Sequence, residues 1–258
     1  MERVHIFELA DLPWYPRVLA DAGTAYLRTL QAKIGIARFL VPLARRGLAH
    51  SSTARIVDLC AGGGGPTPDV VAALDERPEL LLTDLHPNRA SLEDLVTDGV
   101  SVHPTPVDAR AVPAELTGMR TIFNALHHLQ PDDARAVLRD AQAANQPIFV
   151  AELSERGFLT LTLGSAFIPL TVLLLMPLVR PVRLSWLLLT YLLPILPLTI
   201  AWDGWVSHWR TYSLAEQEAL VAPLQREGWT WEMGQEKAGP GRITWLLGYP
   251  RAAATSPA

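Results

Sequence analysis

The feature that most constrains the fold is an alternation of short β-rich runs with helix-length segments between residues 54 and 153. The β-rich runs are ARIVDLC, ELLLTDL, VSVHPTPVD, MRTIFNAL and PIFVAEL. Strands separated by spacers of this length run parallel through right-handed crossovers, and helices then cover both faces of the sheet. The pattern therefore predicts a doubly wound α/β sheet.

A glycine run follows the first strand candidate. Ala61 and Gly62–Gly65 connect this strand to a helix that starts near Pro68. Because glycine has no Cβ, the loop allows a ligand to approach the backbone at a helix N-terminus. Asp84 ends the second strand candidate, where a carboxylate can accept hydrogen bonds from ribose hydroxyls. The pattern indicates a nucleoside-cofactor site, and the alternative is a structural turn with a helix-capping Asp84.

The loop resembles motif I of the class I S-adenosylmethionine-dependent methyltransferases, in which a strand ending in an acid precedes G-x-G-x-G. On this resemblance Asp58 is the acid, Gly62 and Gly64 are the second and third glycines, and Cys60 replaces the first. A dinucleotide fingerprint requires a small residue where Thr67 stands. Thr67 therefore disfavours an NAD(P)-dependent oxidoreductase, which is the rival enzyme interpretation.

The resemblance implies S-adenosylmethionine as the cofactor and a Rossmann-like seven-stranded sheet completed by a C-terminal αββ unit. It also implies that Asp84 binds the ribose, that Asp108 lies beside the adenine and that Asn124–His128 faces the methyl donor. The implied cofactor-binding residues are Asp58, Cys60, Ala61, Gly62, Gly64, Asp84, Leu85, Asp108, Ala109 and Asn124.

The candidate catalytic residues are Asn124, His127 and His128. Methyl transfer is a displacement at an electrophilic sulfonium carbon, so the protein mainly positions the nucleophile and removes its proton where needed. Histidine accepts protons near neutral pH, which makes His127 or His128 a candidate general base. The alternative is that one histidine supports the loop while the other caps a helix or is exposed. We expect no metal site, because no second His or Cys cluster has ligand spacing.

An apolar block forms a separate feature. Residues 158–179 and 184–202 carry no charge, and a turn containing Arg180 and Arg183 separates them. Each stretch is long enough for the roughly 30 Å hydrocarbon layer of a membrane. The prolines in the block predict shorter helical pieces such as 158–168 and 182–193, and a double crossing would oppose the positive-inside rule. We expect residues 158–202 to contact one leaflet, or to form a lid or homo-oligomer interface, with a double crossing as a third alternative.

Polar and aromatic residues near the ends of this block are candidates for a substrate pocket. These candidates are Glu152, Asp203, His208, Arg210, Trp14 and Tyr15. Each has a structural alternative: a salt-bridged Glu152, an Asp203–Arg210 pair, a tryptophan belt at a membrane surface, and packing of Trp14 and Tyr15 on the core. The apolar block favours a small hydrophobic acceptor, such as a quinone-like, lipidic or secondary-metabolite molecule. A non-catalytic membrane-associated scaffold is the remaining alternative.

Composition limits the other function classes. The chain has 258 residues, 49% hydrophobic and 19% charged, with a net charge of −4. This composition excludes a disordered chain and disfavours a nucleic-acid partner. The single cysteine and the acidic N-terminus predict a cytoplasmic protein, with peripheral or monotopic membrane contact as a variant. We expect an N-terminal helical cap at 1–50, a core at 51–156, an apolar helical insertion at 157–212, an αββ unit at 213–250 with a turn at 238–241, and a tail at 251–258.

Overall fold

A computed structural model describes residues 1–88, 92–158, 160–238 and 241–251. The strands are β1 (Arg55–Asp58), β2 (Glu79–Leu82), β3 (Val100–Val102), β4 (Met119–Phe123), β5 (Ile148–Glu152), β6 (Trp229–Ala238) and β7 (Gly241–Pro250). The helices include α1 (Arg17–Ile34), α2 (Ala37–Leu48), α3 (Thr67–Ala72), α4 (Pro131–Ala143), α5 (Ser165–Leu175), α6 (Leu184–Leu187), α7 (Ile195–Arg210) and α8 (Leu214–Val221).

The strands form one seven-stranded sheet in the order β3-β2-β1-β4-β5-β7-β6. Strands β1 to β5 pair in parallel, whereas β7 pairs antiparallel with both β5 and β6. The predicted Rossmann-like doubly wound sheet is therefore confirmed. In the predicted hairpin, residues 239–240 of the turn lie outside the described residues, as do residues 252–258 of the predicted tail.

Helices cover both faces of the sheet, and its central strands are buried on both sides. Every residue of β4 and β5 is buried. On one face, Leu40 and Leu43 of α2 join a core cluster with Ile56 of β1. On the other face, Val137 and Leu138 of α4 pack in a second cluster. The strand order reverses between β1 and β4, and in such sheets ligands bind beyond the carboxyl ends of the strands at this point.

The apolar insertion differs in part from the predicted short helices. One helical run continues from Thr160 to Leu178 through Pro169, so the predicted piece 158–168 is wrong. A π-helical turn at Thr160–Gly164 precedes the α-helix Ser165–Leu175, and Pro169 lies inside that helix. The second stretch does break at Pro194, and the segments Leu184–Leu192 and Ile195–Arg210 meet at 84°.

The insertion packs on the N-terminal helix α1. Leu19, Ala22 and Tyr26 of α1 form a third apolar cluster with Val172 and Trp186 of the insertion, among others. Among the described residues, the run Thr160–Leu178 is long and apolar enough to cross a membrane. The helices Leu184–Leu192 and Ile195–Arg210 are also long and apolar enough if the two are taken together as one bent span.

Candidate active site

The glycine loop after β1 adopts backbone conformations that favour glycine. Gly62, Gly64 and Gly65 have positive φ values of 54°, 92° and 48°. A Cβ on Gly64 would lie 2.1 Å from Leu95 Cδ1, whereas no atom lies within 4 Å of a Cβ placed on Gly62 or Gly65. Cys60 also has a positive φ, of 59°, which explains why a glycine is expected at this position. Burial raises the pKa of the Cys60 thiol to about 12, so the thiol is uncharged.

Asp84 lies directly beside this loop. Its Oδ2 accepts a hydrogen bond of 2.9 Å from the Gly62 backbone N–H, and its Oδ1 accepts one of 2.7 Å from the His86 N–H. The Ala61 N–H donates to the Thr83 carbonyl at 2.9 Å, which fixes the loop against the end of β2. These bonds orient the Asp84 carboxylate at the carboxyl edge of the sheet. Leu85 follows it with an exposed side chain.

Asp58 is a buried support for the loop. Its carboxylate accepts hydrogen bonds from the Thr67 hydroxyl at 2.8 Å and from the Thr121 hydroxyl at 2.6 Å. These contacts connect the end of β1 to α3 and to β4. Burial raises the pKa of Asp58 to about 7. Asp58 is 3% exposed, and its contacts with Thr67 and Thr121 hold the loop against the sheet.

The predicted adenine-side residues have partners within the protein. Asp108 forms an ion pair with Arg110, at 2.8 Å between Oδ2 and Nη2, and Arg110 also contacts Asp133. The hydrogen bond with Arg110 lowers the pKa of Asp108. The Val107 N–H donates to the Asp84 carbonyl, which places this loop next to Asp84. Ala109 is buried in an apolar cluster.

Asn124 fixes the turn after β4. It has a positive φ of 53°, and its backbone N–H donates to the Ala151 carbonyl at 2.9 Å. Its side-chain Oδ1 accepts a 2.7 Å hydrogen bond from the Leu153 N–H. Asn124 thus joins the carboxyl ends of β4 and β5 and sets the path of the following segment.

His127 is buried between two carboxylates. Its Nδ1 lies 2.7 Å from Glu152 Oε2, and its Nε2 lies 3.5 Å from Glu8 Oε1. Burial by itself would lower the pKa of His127, but the charges of Glu152 and Glu8 and the hydrogen bond with Glu152 raise it to about 10. Without another cation at the site, His127 is therefore protonated near neutral pH, which disfavours it as a general base.

His128 has a similar set of partners but is one-third exposed, at 33%. Its Nδ1 lies 2.8 Å from Asp11 Oδ1, and its Nε2 lies 3.8 Å from Glu8 Oε2. Arg210 reaches the same carboxylates, with Nη1 at 3.1 Å from Glu8 and 2.6 Å from Asp11. We call these residues the polar cluster: Glu8, Asp11, His127, His128, Glu152 and Arg210.

Glu8 and Asp11 were not among the predicted site residues. Glu8 is buried, and although burial opposes its ionisation, the partners His127, His128 and Arg210 lower its pKa to about 2. Both acids come from the N-terminal segment, more than a hundred residues before the histidines. Two isolated acids near an N-terminus carry no specific sequence signal, so only the fold reveals this contribution.

The predicted substrate residues on α7 contact the N-terminal segment. Asp203 accepts hydrogen bonds from the Leu9 N–H at 2.6 Å and the Ala10 N–H at 3.2 Å, so its predicted alternative pairing with Arg210 is wrong. Burial raises the pKa of Asp203 to about 6 and lowers that of His208 to about 4. His208 Nδ1 is buried and has no hydrogen-bond partner among the described residues.

The N-terminal aromatic residues lie in different environments. Trp14 is exposed, and Tyr15 packs against the cluster formed by α1 and the insertion. Along α7, Trp202, Trp205 and Trp209 form a chain of ring contacts, with centroids 5.8 Å and 6.1 Å apart. No described contact places Trp14 or Tyr15 against the polar cluster, so their substrate role stays a prediction.

Comparison with known proteins agrees with this fold. No family model and no curated protein matches the sequence. The solved structure of LaPhzM is similar with a TM-score of 0.51 at 16% identity, over 94% of this chain and 60% of that chain. The mitomycin 7-O-methyltransferase MmcR is similar with a TM-score of 0.45 at 20% identity, over 83% of this chain and 54% of that chain. The chain therefore spans a little more than half the length of these two proteins.

A third similar structure, the plantazolicin methyltransferase BpumL in complex with SAH, has a TM-score of 0.47 at 11% identity, over 91% of this chain and 97% of that chain. At these identities the comparisons concern the fold alone. The strand order and the antiparallel β7 are those of the Rossmann-like fold of class I methyltransferases. The chain has this fold, as its glycine loop led us to expect.

Proposed function

We propose that this protein is an S-adenosylmethionine-dependent methyltransferase that acts on a small hydrophobic acceptor. The observation that carries the proposal is the placement of Asp84 against the Gly62 backbone, 2.9 Å from its N–H, at the carboxyl ends of β1 and β2. Each Asp84 oxygen accepts one backbone hydrogen bond and retains a lone pair for a ribose hydroxyl. The open space at Gly62 and Gly65 leaves room for a cofactor to contact the protein backbone.

Isothermal titration calorimetry tests the cofactor. We expect the protein to bind S-adenosylmethionine and S-adenosylhomocysteine and to give no signal with NAD. Binding of NAD in place of both would instead favour the oxidoreductase. If the protein binds S-adenosylmethionine but transfers no labelled methyl group to any compound in an apolar extract, the non-catalytic scaffold is favoured.

The acceptor site is expected beside the polar cluster. This cluster follows β4 and β5, next to the strand-order reversal at which the methyl donor would bind. Helix α7 connects the cluster to the apolar insertion, and this connection supports a hydrophobic acceptor. Of the predicted pair, His128 remains the candidate proton acceptor, because its ring is partly exposed and Asp11 orients it.

A comparison of two variants tests the base. We expect His128→Gln to lower turnover while cofactor affinity is unchanged. His127→Gln removes a buried partner of Glu152 and should mainly lower the thermal stability. Equal and negligible effects of the two substitutions on turnover would contradict a histidine base.

We also propose that the insertion contacts one membrane leaflet. It exposes many large apolar side chains to solvent: Phe158, Leu163, Phe167, Leu170, Leu174, Leu178, Val182, Leu184, Leu188, Leu192, Leu193 and Leu198. Apolar patches of this kind are typical of membrane or protein contacts. The turn between the two stretches lies against α1, since Arg183 Nη1 is 3.7 Å from Asp21. In a double crossing this turn would lie on the far side of the membrane, so the contact favours a leaflet-bound arrangement.

Flotation with lipid vesicles tests this contact. We expect the wild type to float with vesicles and the double variant Leu174→Glu/Leu192→Glu to remain in the dense fractions, because both side chains are well exposed, at 65% and 71%. Val96→Glu, at an exposed apolar position outside the insertion, is the matched control and should float. A wild type that stays unbound and has the mass of a dimer would favour the oligomer interface.

A further inference from the structure

We propose that Glu8, His127 and His128 bind a divalent transition-metal ion of the zinc class. One ligand atom of each residue lies within 4.8 Å of the others, and Glu8 and His127 are buried. Two histidines that follow one another in sequence are a poor metal site by themselves. The fold supplies the third ligand from the N-terminal segment.

The partners of the two imidazoles fix their orientation toward this site. A carboxylate only accepts hydrogen bonds, so the 2.7 Å contact of Glu152 with His127 places a proton on Nδ1 of that ring. His128 Nδ1 has two neighbours, Asp11 Oδ1 at 2.8 Å and the donor Arg210 Nη1 at 3.4 Å, and the shorter contact with Asp11 favours a proton on this Nδ1 as well. Nε2 is then the atom available for a metal on both histidines. This arrangement, in which a carboxylate orients a metal-binding histidine, is the usual outer shell of protein metal sites.

His127 Nε2 provides an independent observation that points to this site. It is buried, points toward Glu8 and has no hydrogen-bond partner among the described residues. The nearest carboxylate oxygen, Glu8 Oε1, is 3.5 Å away, beyond good hydrogen-bonding distance. A buried polar atom in this position is costly unless a proton or a metal ion compensates it.

The ligand atoms are close enough to be drawn together by one ion. One ligand atom of each residue lies within 4.8 Å of the other two. His127 Nε2 is 3.5 Å from Glu8 Oε1, and His128 Nε2 is 3.8 Å from the other oxygen, Glu8 Oε2. Neighbouring ligands of a tetrahedral site with metal–ligand distances of about 2.0–2.1 Å lie about 3.3–3.4 Å apart, so side-chain movements would bring the three atoms to that spacing.

The charges around the histidines also favour a divalent cation. Three carboxylates, those of Glu8, Asp11 and Glu152, contact the two imidazoles, and Arg210 is the guanidinium that contacts Glu8 and Asp11. With neutral imidazoles, two negative charges remain uncompensated. Two imidazoles and a carboxylate suit zinc, iron(II) or cobalt, whereas magnesium prefers oxygen ligands alone.

This proposal does not depend on methyl transfer. A metal ion on His128 Nε2 would occupy the lone pair that a general base needs, so metal binding, if measured, replaces the role of His128 as proton acceptor and leaves the S-adenosylmethionine site as proposed. Metal binding is measured without cofactor or acceptor. Its result is therefore separate from the test for S-adenosylmethionine binding.

The experiment uses the full chain without a histidine tag, treated with EDTA and exchanged into metal-free buffer. We expect calorimetry to show one equivalent of Zn²⁺ bound per chain, and Co²⁺ to give the visible absorption of a four- or five-coordinate site. Asp11→Asn, which changes an outer-shell partner, should weaken binding about 10- to 100-fold. Glu8→Gln and His128→Ala should weaken it more, and His86→Ala, at an exposed histidine outside the cluster, should leave it unchanged.

Circular dichroism verifies that each variant is folded. If Glu8→Gln fails to fold, the Zn²⁺ stoichiometry of the wild type and the affinity of His128→Ala still test the metal site. The His128 ring is partly exposed, so we expect His128→Ala to fold. The proposal is overturned if the wild type binds neither Zn²⁺ nor Co²⁺. It is also overturned if His128→Ala binds both ions as tightly as the wild type.

Discussion

Replacing Asp84 by asparagine is the most direct test of the cofactor site. In the wild type, Oδ2 and Oδ1 accept hydrogen bonds from the Gly62 and His86 N–H groups, at 2.9 Å and 2.7 Å. Asparagine keeps the shape and one acceptor oxygen but turns an NH₂ group toward either a backbone N–H or a ribose hydroxyl. The negative charge is lost as well.

The magnitude follows from the loss of one charge-assisted hydrogen bond to the ribose. Such a bond contributes about 1.5–3 kcal/mol, which corresponds to roughly a 10- to 150-fold weaker affinity. The loss of one backbone contact also lowers the free energy of unfolding by about 1–2 kcal/mol. The variant should therefore fold and bind S-adenosylmethionine weakly.

Calorimetric titration of wild type and Asp84→Asn with S-adenosylmethionine gives the two dissociation constants. Asp75→Asn is the matched control, because its side chain is 90% exposed and bonds Arg45 on the surface. This control should bind the cofactor like the wild type. An Asp84→Asn protein that is folded and binds with wild-type affinity would refute the assignment of Asp84 to the ribose.

Three further predictions concern the supports of the site. The native pKa of Asp58 is raised to about 7 above its ordinary value of 3.8, so the stability that Asp58 contributes is present in acid and is lost as the pH rises toward 7. Urea unfolding should therefore show that the free energy of unfolding of the wild type falls by up to about 4 kcal/mol as the pH rises from about 4 to 7, and that Asp58→Asn lacks this fall. Parallel pH profiles of the two proteins would contradict a buried titrating carboxyl. Gly64→Ala places an alanine at an unfavourable positive φ and requires a shift of Leu95. It should lower both the affinity for S-adenosylmethionine and the melting temperature. If neither value changes, the loop adapts to the added Cβ. The Asp140 carboxylate lies 2.6 Å from the buried Arg120 guanidinium. Asp140→Ala removes this partner and should lower the free energy of unfolding, measured in urea, by about 3 kcal/mol. A loss below about 1 kcal/mol would mean that water replaces the carboxylate.

The sheet was predictable because its signals are local. Parallel strands buried on both faces give apolar runs, and the run at 148–151 identifies β5 directly. Strand β4 is marked by its β-branched and aromatic residues, although Arg120 and Thr121 lie within it. The glycines and Asp84 follow strand ends, and strand ends meet at one edge of a parallel sheet. The placement of the glycine loop next to Asp84 was therefore predictable without coordinates.

The helices of the insertion were less predictable. Pro169 indicated a break, but it lies inside a helix and the helical run continues to Leu178. Pro194 indicated a break and produced one. Whether a proline interrupts a helix depends on the carbonyls and neighbours around it, which a single sequence does not record.

The sequence by itself determined the order of strands and helices, the glycine loop and the carboxylate beside it, because each depends on residues close together in the chain. The tertiary structure alone decided the surroundings of the histidines. It brought Glu8 and Asp11 from the N-terminal segment and Arg210 from α7 to the end of β4. Electrostatic contacts between distant segments leave no periodic pattern in a sequence, and the protonation and ligands of His127 and His128 depend on them.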